Sequence, residues 1–269
     1  MIERLSGYRS LTGQFYKSGN SEPVDWCLPQ ECPIAINING ECHAVMLATP
    51  LNIEEFVVGF CLSEGLVTTL DKIKSICVKE KSEGIEVDLK FEAQALERLH
   101  LMNRRRTLAG TSGCGICGLT SFSQVLEMAS PIKSKLKVPM DAVLKVREQL
   151  EDTMPLRQKC FSVHGAVFAK SDGEIIMTRE DVGRHNALDK LIGGMALQKL
   201  DLTNGFVMVT SRFAYELVKK CARVKIPMAL SISAPTSMAI RMAQKSKMTL
   251  GAFSGKKGLV VFIDEGRIL

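Results

Sequence analysis

Two thiols three positions apart, Cys114 and Cys117, lie in Gly110-Thr111-Ser112-Gly113-Cys114-Gly115-Ile116-Cys117-Gly118, where four of nine residues are glycine. A thiol on a backbone with so little Cβ hindrance can reach outward and swing between partners. Arg104, Arg105 and Arg106 stand just upstream, and nearby positive charge favours the thiolate, which is the reactive form. Three chemistries fit the pair. Half of a zinc site would need two further ligands at suitable spacing, and there is no second CxxC or CxxH, since Cys42-His43 is adjacent and not spaced. A dithiol redox pair usually opens a helix directly after a strand, whereas here glycines flank both cysteines. A sulfur carrier would take a sulfane sulfur by attack on a donor persulfide and present it on an exposed loop. Core-filling thiols need neither the spacing nor the glycines. The other seven cysteines are expected to be core, with Cys61 on the apolar side of a helix and Cys221 one turn from Leu217.

A second constellation runs from Arg179 to Lys190 and contains Asp181, Gly183, Arg184, His185, Asn186 and Asp189. Crowding charges around a glycine at a helix start is costly unless they pair with one another or bind something. One reading is a helix capped by Asn186 with a surface ion-pair cluster; the other is a binding site using Asp181, Arg184 and His185. His164 sits inside an expected strand, where a satisfied core histidine is the simpler reading.

Two strand-to-helix junctions follow, Thr210-Ser211-Arg212 and Ser231 to Ser237, the latter with Ser233, Thr236 and Ser237. Hydroxyls and free amides at helix starts can hold phosphate, and serines there are also ordinary N-caps. The loop Phe253-Ser254-Gly255-Lys256-Lys257-Gly258 places two lysines between glycines. A tight hairpin explains it as well as a phosphate-bearing ligand does. Taken together, these segments favour a large anionic cofactor.

The elements that must position these groups differ along the chain. Residues 1 to about 30 read as an irregular or loosely strand-like entry. Residues 32–38 and 42–47 alternate around Asn39-Gly40, the pair a type I′ turn wants, and predict a hairpin. Asn52 with Glu55 three residues on resembles a capping box for a helix that stops near Gly65. Strands over 73–78 and 85–89 and a short helix with Leu96 and Leu99 complete a mixed α+β N-terminal part. Beyond the cysteine loop, a helix is expected from Ser121, with Gln124 in the capping-box position; 130–138 reads as linker, and a helix covers 141–152. From Cys160 onward the rhythm alternates: strands over 163–169 and 174–178, helix 184–200, strand 206–210, helix 214–224, strand 228–232, helix 236–245, and strands over 248–253 and 259–263. That pattern predicts an α/β sheet buried between helices. In such sheets ligands collect at the carboxyl ends of the strands. The expected division is an N-terminal α+β domain over 1–109, the cysteine loop and linker over 110–138, and an α/β domain over 139–269.

With 269 residues, 46% of them hydrophobic, the chain suits one large or two modest domains, and two are expected. A net charge of +6 without long basic runs favours anionic small partners, while one Trp and three Tyr leave few stacking platforms, so nucleic acid is not expected. Nine irregularly spaced cysteines argue against a secreted disulfide scaffold and for a reducing cytoplasm. The N-terminus lacks the apolar stretch of a signal peptide, and no apolar run reaches the roughly 18 residues of a membrane span. A soluble protein with no membrane partner is expected.

The Cys114/Cys117 loop, the 180–190 run, and the succession Ser211-Arg212, Ile226-Pro227 and Ser233 to Ser237 resemble, in that order, the FdhD family. The resemblance extends from about Pro33 to the C-terminus. It implies a sulfurtransferase needed for active formate dehydrogenase: a cysteine desulfurase passes sulfur to Cys114 as a persulfide, Cys117 supports or relays it, and the sulfur goes to the bis(molybdopterin guanine dinucleotide) molybdenum cofactor before that enters the formate dehydrogenase apoenzyme. It places cofactor contacts on the 253–258 loop. It also implies a homodimer and, for the C-terminal part, a three-layer α/β/α sandwich similar to the cytidine deaminase fold. The zinc-binding set of true deaminases is missing, so neither deamination nor a structural metal is expected. Lys256 and Lys257 depart from the arginine of many relatives, and lysine neutralises phosphate without offering a bidentate fork. A thiol redox protein and a cofactor chaperone that does not use its thiols are the alternatives.

Overall fold

The computed structural model describes residues 6–104, 130–255 and 258–269. It opens on a two-stranded antiparallel ribbon, β1 (Tyr8–Lys17) and β2 (Asn20–Pro29), which among the described residues pair only with each other. Of the irregular or loosely strand-like entry expected there, the strand-like reading holds. Its polar and apolar residues mix on both faces and most remain exposed, so no clean period-2 burial pattern marks it in the sequence.

A four-stranded sheet follows in the order β4-β3-β6-β5. Strands β3 (Cys32–Ile38) and β4 (Glu41–Ala48) form the expected hairpin, with Asn39 and Gly40 both at positive φ, 50° and 91°, as a type I′ turn requires. Strands β5 (Ile73–Glu80) and β6 (Ile85–Phe91) complete the sheet, with β6 running parallel to β3. Helix α1 (Ile53–Glu64) lies between β4 and β5 in sequence, and α2 (Ala93–Arg104) follows β6. The capping box expected for α1 is absent. Asn52 sits in the left-handed region at φ 55° with no side-chain cap bond, and both Glu55 carboxylate oxygens are taken by Arg179.

The second sheet has six strands in the order β12-β11-β10-β9-β7-β8. These are β7 (His164–Ala169), β8 (Ile175–Asp181), β9 (Phe206–Arg212), β10 (Met228–Ser233), β11 (Thr249–Ser254) and β12 (Gly258–Ile263). Strands β9, β10 and β11 are parallel, and β7 and β12 run against their neighbours. Side chains alternate between its faces, as period 2 demands. Val167, Ala169, Phe206, Met208, Met228 and Leu230 pack on one side with Val143 and Val146 of α3 (Met140–Gln149). Ala166, Phe168, Val207, Val209 and Ala229 pack on the other, with helices α5 (Arg184–Leu197), α6 (Tyr215–Arg223) and α7 (Ser237–Ser246). The short helix α4 (Pro155–Cys160) precedes β7.

That second cluster also takes in Ile34, Ile36, Val87 and Leu89 of the four-stranded sheet, so α1 and α5 are enclosed by apolar residues from both sheets. Helix α1 is buried at every position from Phe56 to Ser63, as a helix in the middle of a core must be. Its contact with α5 is made at glycines. A Cβ on Gly59 would lie 1.7 Å from the Asp189 carbonyl oxygen, and one on Gly193 would lie 1.8 Å from the Glu55 carbonyl oxygen.

Two further expectations change. The segment 130–138 is not a linker: Ile132, Leu136 and Val138 are buried, Ile132 donates to the Ser246 carbonyl (2.8 Å), and Val138 bridges to Ile268. Alternation of these apolar residues with Lys133, Lys135 and Lys137 is a strand-like signal hidden by the flanking prolines. Of the seven cysteines expected in the core, Cys32, Cys61, Cys160 and Cys221 are buried, Cys27 is half-buried, and Cys42 and Cys77 are exposed on the small sheet. Burial raises the thiol pKa of Cys61 and Cys221, which makes them inert packing groups.

Candidate functional site

Among the described residues, the segments singled out beyond Val163 are brought to one edge by the six-stranded sheet. Strands β8, β9, β10 and β11 deliver their carboxyl ends there as Asp181, Arg212, Ser233 and Ser254, and β7 begins there at His164. Arg212 and Ser233 are neighbours in the β9/β10 register, His164 is opposite Asp181, and Ser254 is opposite Gly258. Helix α5 starts at the same edge with Arg184 and His185.

Two carboxylates near this edge, Asp181 and Glu180, are satisfied from inside. Asp181 is fully buried, and its oxygens accept from Thr49 N (2.9 Å), Gly183 N (2.8 Å), Asn186 Nδ2 (2.9 Å) and Lys190 Nζ (2.6 Å). Its part is to hold the turn into α5, not to face a ligand. The surface cluster of the first reading is therefore an interior network, and Asn186 does not cap α5; it donates to Asp181 and to the Leu47 carbonyl. Glu180 accepts from the amides of Leu156 and Arg157 at the start of α4. Removing the cation of the buried pair strands a carboxylate, so Lys190→Met is expected to destabilise the protein by roughly 3–5 kcal/mol, read from denaturant melts.

Glu216, in the first turn of α6, went unnoticed in the sequence. Its Oε1 accepts from Arg184 Nη2 (2.8 Å) and is 2.9 Å from His185 Nε2. Burial alone would raise this carboxyl, but the bonds from His185 and Arg184 outweigh it and bring the pKa from 4.5 down to about 2. A depressed carboxylate stabilises the fold above its unfolded pKa and loses that contribution as pH falls through the folded one. Wild-type protein should therefore lose an advantage on the order of 2–3 kcal/mol over Glu216→Gln as pH drops from 4.5 to about 2. Urea melts of both proteins across that window check it.

His164 differs from the satisfied core histidine expected. It is half-buried, and its Nδ1 is buried with no hydrogen-bond partner. Burial and the neighbouring Arg184 and Arg157 hold it below the usual histidine range. The Nε of Arg184 is likewise buried without an acceptor. Orphaned buried nitrogens of this kind call for an explanation, and an anionic ligand at the edge would supply the acceptor that Arg184 lacks.

The hydroxyls divide into two groups. Thr236 caps α7, its side chain accepting from Ala239 N (3.2 Å), while Thr210 accepts from Gly165 N and Ser231 donates to the Ser233 carbonyl. Ser233, Ser237, Ser254, Gly255 and Gly258 are exposed. Phe253 is a correction as a ligand contact: its side chain is buried in the core beside α3, with the Arg147 guanidinium 5.7 Å from the ring centroid. Cys114, Cys117, Lys256 and Lys257 lie outside the described residues, as does the helix expected from Ser121. Among the described residues, no group of three or more His, Cys, Asp or Glu could hold a metal, and no helix is long and apolar enough to cross a membrane.

Fold and edge together define a mixed α/β protein that gathers cations and hydroxyls where its strands end. The chain belongs to the FdhD/NarQ family, whose profile matches residues 29–269. It is 40% identical over 239 residues to the sulfur carrier protein FdhD of Cupriavidus necator, covering 89% of this chain and 82% of that protein. It is 38% identical over 253 residues to the protein of the same name from Xanthomonas campestris pv. campestris, covering 94% and 89%. The fold matches a crystal structure from Desulfotalea psychrophila, described as that of a proposed formate dehydrogenase accessory protein, with a TM-score of 0.76 at 24% identity over 97% of this chain and 99% of that one.

Proposed function

We propose that this protein is a sulfur carrier that accepts sulfur from a cysteine desulfurase as a persulfide on Cys114, assisted by Cys117. The outer sulfur of that persulfide then passes, as sulfide and with two electrons from a thiol reductant, to the bis(molybdopterin guanine dinucleotide) molybdenum cofactor destined for a formate dehydrogenase apoenzyme, leaving the Cys114 thiol. The relatives' name supports the sulfur chemistry. The observation that carries the cofactor side is the edge itself: Arg184, His185, Arg212, Ser233, Ser237 and Ser254 gather where strands end, the neighbouring Asp181 is neutralised internally by Lys190, and a buried Arg184 nitrogen lacks an acceptor. Such an edge attracts phosphates. Thr236 and Asp181 act by holding the helix starts, and the loop over 253–258 contributes through Ser254, its glycines and its lysines. A cytoplasmic homodimer with a cytidine-deaminase-like C-terminal part belongs to the same reading.

The test is a two-stage transfer. Protein incubated with a cysteine desulfurase and cysteine is expected to gain one sulfur atom by mass spectrometry, and to lose it when the cofactor is added while the cofactor gains it. A reversible Cys114–Cys117 disulfide with no sulfur adduct would replace this reading with a thiol redox protein. Cofactor binding with dispensable cysteines would replace it with a chaperone.

A further inference from the structure

Arg184 and His185 are consecutive cationic-type residues in the first turn of α5, and the same carboxylate oxygen, Oε1 of Glu216, engages both. Glu216 comes from a different helix, α6, and is 8% exposed. We propose that Glu216 is the positioning residue of this edge: its Oε1 fixes Arg184 and His185 in one arrangement, ready for an anionic, pyrophosphate-bearing ligand. This rests on the anion-binding reading above.

An arginine side chain loses considerable rotamer freedom when it is held in one place. Two adjacent cationic groups also repel each other when both are charged. A bridging acceptor removes both difficulties before the ligand arrives, which is what preorganisation means. The bridge also sets the histidine's chemistry. An ionised carboxylate only accepts hydrogen bonds, so His185 Nε2 must carry the hydrogen. On charge alone such a carboxylate is unhelpful, because a negative group beside an anion site weakens attraction to the ligand. Its orienting role and its electrostatic role therefore predict opposite signs.

The experiment measures binding of inorganic pyrophosphate by calorimetry to the full chain and to Glu216→Met and Glu216→Gln, with thermal melts to confirm folding. Methionine keeps the packing without an acceptor, and glutamine keeps an acceptor without the charge. Positioning predicts about tenfold weaker binding in E216M, with E216Q intermediate. Tighter or unchanged binding in both would overturn the proposal. Nitrogen-15 spectra of the imidazoles, recorded without ligand, give a readout that loss of packing would not produce. The His185 signal should show a hydrogen fixed on Nε2 in wild type and E216Q, and a tautomer mixture in E216M. The same mixture in wild type would also overturn it. If wild-type protein does not bind pyrophosphate, the anion-site reading falls, and the spectra still decide whether Glu216 clamps the pair.

Discussion

Cys114→Ala is expected to abolish sulfur loading, leaving no one-sulfur adduct after incubation with a cysteine desulfurase and cysteine, and to leave formate dehydrogenase inactive in cells that depend on this protein. Alanine keeps the small side chain the glycine-rich loop tolerates and removes only the nucleophile, so a change in folding is not expected. The competing thiols do not rescue it. Cys61 and Cys221 are buried with raised pKa values, and Cys160 is raised by burial as well, so none offers thiolate at neutral pH. Cys42 and Cys77 are exposed, which makes them the necessary controls: Cys42→Ala and Cys77→Ala should load sulfur as wild type does. Full activity of Cys114→Ser in cells would remove the basis of the sulfur-carrier reading. Cys117→Ala separates a relay from a bystander, since a relay predicts normal loading with slowed delivery to the cofactor.

The alternation from Cys160 onward is legible because the central strands β7, β9, β10 and β11 are buried on both faces, and each expected strand and helix there has its counterpart within a few residues. The hairpin at Asn39-Gly40 was legible because both turn positions need positive φ. What the sequence hid was long-range pairing. Glu55 looked like a capping residue because local spacing matched, yet Arg179, 124 positions away, claims it. Asp181 and Lys190 looked like surface charges because nothing local says that Thr49 and Leu47 will close over them. Glu216 could have been noticed as an acid in the first turn of the helix following Arg212, but only tertiary structure shows which cations it meets. Thr210 and Thr236 read equally well as ligand groups or local caps, and the fold uses both internally.

The edge groups depend on the packing beneath them, because α5 carries Arg184 and His185 at its start and is seated on α1 by backbone contact at Gly59 and Gly193. Glycine to alanine in a helix ordinarily stabilises by about 1 kcal/mol. Here the sign should reverse. A methyl on Gly59 would sit 1.7 Å from a carbonyl oxygen of the facing helix, an atom that cannot rotate away, so the two helices must separate. Gly59→Ala is expected to destabilise by about 3 kcal/mol or more, lowering Tm by roughly 10 °C in a chain of this size. Gly193→Ala should do the same, its Cβ meeting the Glu55 carbonyl oxygen. The double variant should cost less than the sum of the two, because helices already forced apart by one methyl leave room for the second. Gly13→Ala, with nothing within 4 Å of the new methyl, should be close to neutral. Where the single variants still fold, the displaced α5 carries Arg184 and His185 away from Glu216, so pyrophosphate binding should weaken alongside stability. A Gly59→Ala protein that melted at or above the wild-type temperature would mean that the helices do not meet at these glycines, and that the cations of the edge are set by something other than the α1/α5 contact.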